Sequence, residues 1–287
     1  MRWDQTLNRN YKLINISKPA SLAVILARGL GTRMRKPDSS ASLVGGQSAV
    51  ADAGVKAMIP IGRPFLDFVL SALADAGFSR VCLVVGPEHG IIRTHYEGEA
   101  RPTRITVEFA IQEKPLGTAN ALLAAEAAVG DDDFIVLNSD NYYPPDALRR
   151  LRLAPAPAIA GFRRRTLIEH GNVAPDRVAR FGALDVDDDG FLRRILVGKA
   201  AQEIVDSDNA LASMNCWSFD HRIFDACRLV PVSARNEFEL PQAVQLAIDT
   251  MDMKMRVVPV DAGVLDLSSR GDIASVAERL SGIEVSL

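Results

Sequence analysis

The run Leu22-Ala23-Val24-Ile25-Leu26 is uniformly apolar and passes directly into Ala27-Arg28-Gly29-Leu30-Gly31-Thr32-Arg33. It reads as a buried strand that delivers a glycine-rich turn. Glycines let backbone N–H groups approach a phosphate with no Cβ in the way. Arg33 adds a rigid positive fork for phosphate oxygens. The arrangement suits a chain that handles nucleotide phosphates. Taken alone it is equally an ordinary strand-to-helix turn, and the residues beyond Arg33 decide between the two.

Strand and helix patterns alternate through the first half. Pro64 to Ala76 has Phe65, Val69, Leu70 and Leu73 on one helical face and ends at Gly77. Val81 to Val85, Ile105 to Ile111 and Phe134 to Leu137 read as strands, and Thr118 to Val129 as an alanine-rich helix. This alternation predicts an α/β fold, a Rossmann-like three-layer sandwich with a mostly parallel mixed central sheet. In such sheets ligands bind beyond the carboxyl ends of the strands, where the glycine turn and Asp140 both fall. Later, Phe181 to Val186 and Phe191 to Val197 flank Asp187-Asp188-Asp189-Gly190 as a hairpin. The acidic run is no calcium loop, because Leu196 stands where the bidentate glutamate belongs. Met214 to Phe219 and Val257 to Val260 read as strands, Phe238 to Met251 and Ile273 to Leu280 as helices. Lys36 to Val55 is rich in Ser, Ala, Gly and Asp, and is expected to be a long loop with one short helix near Ser48 to Ala53, serving as a lid over the turn.

Composition narrows the field. The 287 residues carry a formal net charge of −3, which gives no reason to expect nucleic acid as a partner. The run Arg163-Arg164-Arg165 is expected to be a solvated surface. Cys82, Cys216 and Cys227 are scattered and form no disulfide framework or metal spacing, and the four histidines do not cluster. A reducing, cytoplasmic setting fits. Met1 to Ala20 is polar and unlike a signal peptide, and no apolar run is long enough for a membrane span. No hexapeptide repeat marks an appended β-helix.

Several motifs together resemble the sugar-1-phosphate nucleotidyltransferases. They are the Gly-Thr-Arg turn, Lys56-Ala57-Met58-Ile59-Pro60 with Pro64-Phe65-Leu66, Gln112 to Ala119, Ser139-Asp140-Asn141 and Leu265-Asp266-Leu267, in the family's order. The resemblance implies one nucleotidyltransferase domain over 1–287, with a nucleotide half at about 21–145 and a smaller sugar-phosphate half at about 146–287. It implies transfer of a nucleotidyl group from an NTP to a sugar 1-phosphate, releasing pyrophosphate, with Mg²⁺ as cofactor. Such catalysis is mostly positioning and charge neutralisation.

The resemblance also assigns residues. Leu26, Ala27, Arg28, Gly29, Gly31 and Thr32 would hold the nucleotide, with Gln112, Pro115, Gly117 and Thr118 at its base. Arg33, Lys56 and Asp140 would be catalytic, Arg33 on the departing pyrophosphate and Lys56 bridging the two phosphates. Asp140 and Asp266 would hold Mg²⁺. Asn141, Gly182, Lys199 and Asn215 would line the sugar-phosphate site. Gln112 lies five positions before Gly117, as in uridylyl- and thymidylyltransferases, where the amide pairs with a pyrimidine edge through donor and acceptor together. UTP or dTTP is therefore favoured. Pro115 to Ala119 also looks like guanylyltransferases acting on mannose- or heptose-1-phosphate. Two departures stand out: Arg28 replaces a glycine or alanine, and Gly198-Lys199-Ala200 lacks the glutamate of the family's Glu-Lys-Pro.

Other classes are weaker. A non-catalytic regulatory protein on the same fold has no need of Arg33, Lys56, Asp140 and Asp266 together. A dinucleotide fingerprint needs glycine where Met34 stands. A glycosyltransferase needs Asp-x-Asp where Ser139-Asp140-Asn141-Tyr142 stands. The sequence leaves a homo-oligomer open.

Overall fold

The computed structural model describes residues 19–201 and 210–287, so most of the polar Met1–Ala20 segment lies outside the described residues. Its centre is Leu22–Leu26, with every side chain buried. This strand is bonded in parallel to Arg80–Val85 on one side and Phe134–Asn138 on the other. Thr106–Ile111 continues the parallel set beyond Arg80–Val85. On the other side Leu211–Phe219 joins Phe134–Asn138 antiparallel, followed by Ala183–Val186 and Leu192–Leu196. Ala158–Arg163 also pairs with Leu211–Phe219, and Arg256–Val260 with it, completing nine strands among the described residues.

Alternation along the central strands sorts the core into two. Ala23, Ile25, Leu83 and Leu137 face one cluster, which includes Phe65, Leu70, Leu148 and Val276 from helices on that side. Leu22, Val24, Val84 and Val136 face the other, with Leu122, Phe224 and Val244. A sheet between two helical layers results, as the alternation of patterns predicts.

Local differences from the sequence reading have physical causes. The helix at Thr118 splits into Thr118–Ala124 and Glu126–Val129, because the Ala125 N–H turns back to the Leu122 carbonyl, three residues away. The helix expected from Phe238 begins at Leu240, because Phe238 is otherwise engaged: its N–H bonds to Leu116 and its carbonyl to Ala119. The hairpin is present, and its acidic turn is closed by Asp187, whose Oδ1 accepts the N–H groups of Asp189 and Phe191. Of the arginine run, Arg165 is solvated as expected and Arg163 half-buried, but Arg164 is not a surface residue. Arg164 is buried, donating Nη2 to the Phe181 carbonyl, with Nε and Nη1 unpartnered among the described residues.

Phe134 is fully buried, with its ring stacked on Phe224 at 5.6 Å and tilted against Phe219 at 6.1 Å. Replacing it with alanine removes apolar contact and leaves a cavity beneath the central strands. Phe134→Ala is expected to lower unfolding free energy by about 3–5 kcal/mol, read from urea denaturation.

Candidate active site

Parallel strands align their carboxyl ends, so the loops after Leu26, Val85, Ile111 and Asn138 emerge on one edge. Those after Leu26, Ile111 and Asn138, with Gly54 to Ala57 and Glu237, enclose a cavity of about 350 Å³. Its wall includes Leu26, Ala27, Arg28, Gly29, Gly31, Thr32, Arg33, Lys56, Gln112, Pro115, Gly117, Thr118 and Asp140. Every nucleotide-binding and catalytic residue expected from sequence is thus gathered around one space.

The turn holds its shape through a backbone contact. Gly31 lies in the left-handed region at φ +61°, and a Cβ there would sit 2.2 Å from the Gly54 carbonyl oxygen. Gly54 ends the helix Gln47–Ala53, so this part of the long segment is a brace behind the turn rather than a free lid. Arg35 Nη2 donates to the Ala53 carbonyl at 2.8 Å, and the buried Arg270 joins the Met34 carbonyl to Asp52. The brace leads into the helical turn Lys56–Met58, which aims Lys56 into the cavity. Lys56 Nζ meets Asp140 Oδ2 at 2.8 Å. Arg33 is exposed and has no ion pair among the described residues.

Asp140 and Asp266 are brought together by a second, two-stranded ribbon. Asn141–Tyr142 pairs antiparallel with Leu265–Asp266, placing the buried Asn141 opposite Asp266, and the Leu267 N–H donates to the Asp140 carbonyl at 2.8 Å. Burial, then repulsion from Asp140, pushes the Asp266 carboxyl above its usual range. The two carboxylates supply hard oxygen donors brought to one place by the ribbon, and this donor chemistry fits Mg²⁺. No third Asp, Glu, His or Cys joins them among the described residues.

Gln112 is buried, and its amide orientation is decided by a neighbour that can only accept. Nε2 donates to the Gly117 carbonyl at 3.1 Å and to Asn120 Oδ1 at 2.9 Å. Both amide protons are committed inside the protein, and Oε1 remains as the acceptor. This differs from a glutamine that uses donor and acceptor together. Gly117 sits at φ +109°, where a Cβ would meet the Phe238 backbone. Thr118 Oγ1 accepts the Leu240 N–H at 2.8 Å. The segment from Gly117 is thereby locked to 237–240.

The four sugar-site residues expected from sequence stand outside the cavity wall, as does Asp266 of the metal pair. Asn141 is buried in the ribbon. Gly182 has its Cβ direction filled by Ile195 Cγ2, 2.5 Å away, so the hairpin itself requires glycine there. Lys199 is exposed. Asn215 adopts φ +56° at the bulge between Ser213 and Trp217, and its side chain has no hydrogen bond among the described residues. Arg28 neither faces solvent nor stands free: Nε and Nη2 fork onto Glu88 at 3.2 and 3.3 Å, and Nη1 is buried without a partner among the described residues.

The sequence profile of the nucleotidyl transferase family matches residues 47–279. The chain belongs to that family. Among relatives of this nucleotidyl transferase, a UTP–glucose-1-phosphate uridylyltransferase of Haloferax volcanii, AglF, is 29% identical over 262 residues, covering 90% of this chain and 96% of the relative. A glucose-1-phosphate thymidylyltransferase of Streptomyces antibioticus is 29% identical over 231 residues; the match takes in 79% of this chain and 57% of that longer protein. The fold is that of the UTP-bound UGPase from Acinetobacter baumannii, at TM-score 0.69 and 19% identity over 93% of this chain and 95% of the other.

Sequence reasoning missed three parts of the nucleotidyl transferase site. Glu237 lines the cavity, whereas Glu239, two positions on, pairs with Arg235. Asn172 grips the Asp266 backbone, taking its N–H on Oδ1 at 2.7 Å and donating Nδ2 to its carbonyl at 3.0 Å. Arg177 bonds the Asp266 carboxylate. None has a signal at the spacing a motif would reveal.

His89 closes the loop that carries Glu88. Its Nδ1 accepts the Gly86 N–H at 3.2 Å, and burial, outweighing the pull of Glu88, holds the imidazole below its usual value. The unfolded chain therefore binds this proton more readily, and the loop's contribution is full above about pH 6.5 and is lost as pH falls through the lower folded value. The melting temperature is expected to drop between about pH 7.5 and about pH 5.5. His89→Gln should flatten that drop, as followed by circular dichroism.

Proposed function

We propose that this nucleotidyl transferase joins a pyrimidine nucleoside triphosphate to a sugar 1-phosphate, releasing pyrophosphate. The observation that carries the reading is the Lys56–Asp140 pair at 2.8 Å inside the cavity bounded by the glycine turn. A lysine that must act on phosphate is held there by the carboxylate that must act on metal.

In the reaction a sugar-phosphate oxygen attacks the α-phosphorus; one P–O bond forms, and the bond to pyrophosphate breaks. No protein nucleophile is required. The turn amides and Arg33 bind the triphosphate and meet the charge that grows on the leaving group. Lys56 exchanges Asp140 for the α-phosphate and the incoming sugar phosphate, holding two anions that otherwise repel. Asp140 and Asp266 would hold Mg²⁺, which neutralises phosphate charge when bound. Gln112 Oε1 accepts an imino N–H from the base. Uracil and thymine offer one at N3 and cytosine does not, which supports UTP or dTTP. Guanine offers one at N1, so GTP belongs in any test. The missing glutamate before Lys199 argues against an ordinary glucose phosphate and leaves mannose or heptose phosphates as candidates.

The test is pyrophosphate release across a matrix of NTPs and sugar 1-phosphates. One preferred pair is expected, with release abolished by EDTA and lowered at least about 100-fold in Arg33→Ala and Asp140→Asn. NTP binding without release from any pair would instead support a regulatory protein on this fold.

A further inference from the structure

Asp266 is already fully engaged before any metal arrives. Its Oδ1 accepts the Ser268 hydroxyl at 2.7 Å, and its Oδ2 accepts Arg177 Nη2 at 2.6 Å. The other arm of the same guanidinium, Nη1, reaches Asp272 Oδ1 at 2.7 Å. The carboxylate is 9% exposed and the arginine 25%, so water screens this pair weakly.

We infer that Arg177 is a resident counter-ion that competes with the dication for Asp266 and so sets the metal affinity of the site. The inference rests on the reading of Asp140 and Asp266 as the metal pair. In the metal-free protein each carboxylate is paired with a cation, Asp140 with Lys56 and Asp266 with Arg177, which Asp272 shares. Arg177 is shared between Asp266 and Asp272, and a dication has to displace only its arm on Asp266. Metal entry therefore exchanges an existing ion pair at Asp266 for a new one, instead of claiming an unpaired carboxylate.

Two features separate this role from simple scaffolding. First, Asp266 is placed without Arg177. Asn172 holds its backbone on both sides, the ribbon pairs it with Asn141, and Ser268 orients its carboxylate. Second, Arg177 has somewhere to stay. Asp272 is fixed by the N–H groups of Ser268 and Ser269 and the Ser269 hydroxyl, at 3.1, 2.7 and 2.9 Å, and keeps one arm of the fork when the other lets go. The guanidinium can release Oδ2 without becoming an unpaired buried charge. As a positioning residue acting through Asp266, it withholds an oxygen until a stronger cation claims it.

The test is Mn²⁺ binding to the nucleotide-free protein, read from the electron paramagnetic resonance of the free ion. Arg177→Met keeps the stem and removes the charge. It is expected to bind Mn²⁺ about tenfold more tightly than the unaltered protein. Adding Asp266→Asn should cancel the gain, and Arg177→Lys should restore weak binding. An arginine that merely scaffolds Asp266 would move the affinity the other way, so equal or weaker binding in Arg177→Met overturns the inference. No Mn²⁺ binding by either protein overturns it together with the metal reading, whereas equal binding by both removes Arg177 alone. Should Arg177→Met fail to fold, side-chain NMR of the unaltered protein decides. The Arg177 guanidinium resonances should shift when Mg²⁺ and UTP are added, and unmoved resonances overturn the inference.

Discussion

Everything in the cavity hangs from the register of one strand. Leu22–Leu26 has partners on both sides, with Leu26 opposite Val84 and Asn138. That pairing sets how far each neighbouring strand runs before its loop begins, and so where Arg28, Gln112 and Asp140 leave the sheet. A slip of one residue would exchange the two core faces, moving Ala23 and Ile25 to the side of Leu22 and Val24. Two full apolar clusters make such a slip costly. The precision of the site is inherited from packing on residues that never touch a ligand.

The glycine turn adds a constraint that the strand cannot supply. Gly31 and Gly54 meet backbone to backbone, closer than any side chain permits. The contact couples the glycine turn to the segment that carries Lys56. A stretch with little core character in its composition thereby acquires a structural task, and Arg35 and Arg270 secure it.

The legible part of the chain is the part whose physics is local. Apolar runs, a glycine after a strand and a polar residue at a strand end are set by near neighbours, and the parallel strands and the Asp140 position derive from them. The unread part depends on encounters between distant segments. Nothing near Arg177 says that it will meet Asp266 and Asp272, and nothing near Asn172 says that it will clasp a strand from the far end of the chain. Arg164 looks solvated because its neighbours are arginines, yet the fold closes over it. Gln112 is the intermediate case: its position is readable from its spacing to Gly117, but the commitment of its amide protons depends on Asn120 and on the turn locked against Phe238.

The charges of the site obey one rule. Each cation that the chemistry would need to release is held by a carboxylate, and each carboxylate that a metal would need is held by a cation. Lys56 with Asp140 is the first such pair and Arg177 with Asp266 the second. Arg28 with Glu88 repeats the pattern beside the cavity. Burying a lone charge is far more expensive than burying a pair, so a pocket built to hold polyanions stays folded while empty by pairing its charges internally. Arg33 is exposed and is the exception. No carboxylate pairs with it among the described residues, so in the proposed reaction it would meet the first incoming phosphate without breaking an ion pair. The sequence of events this favours begins at Arg33 and moves inward, with the internal pairs exchanging only after phosphate charge has arrived to replace them.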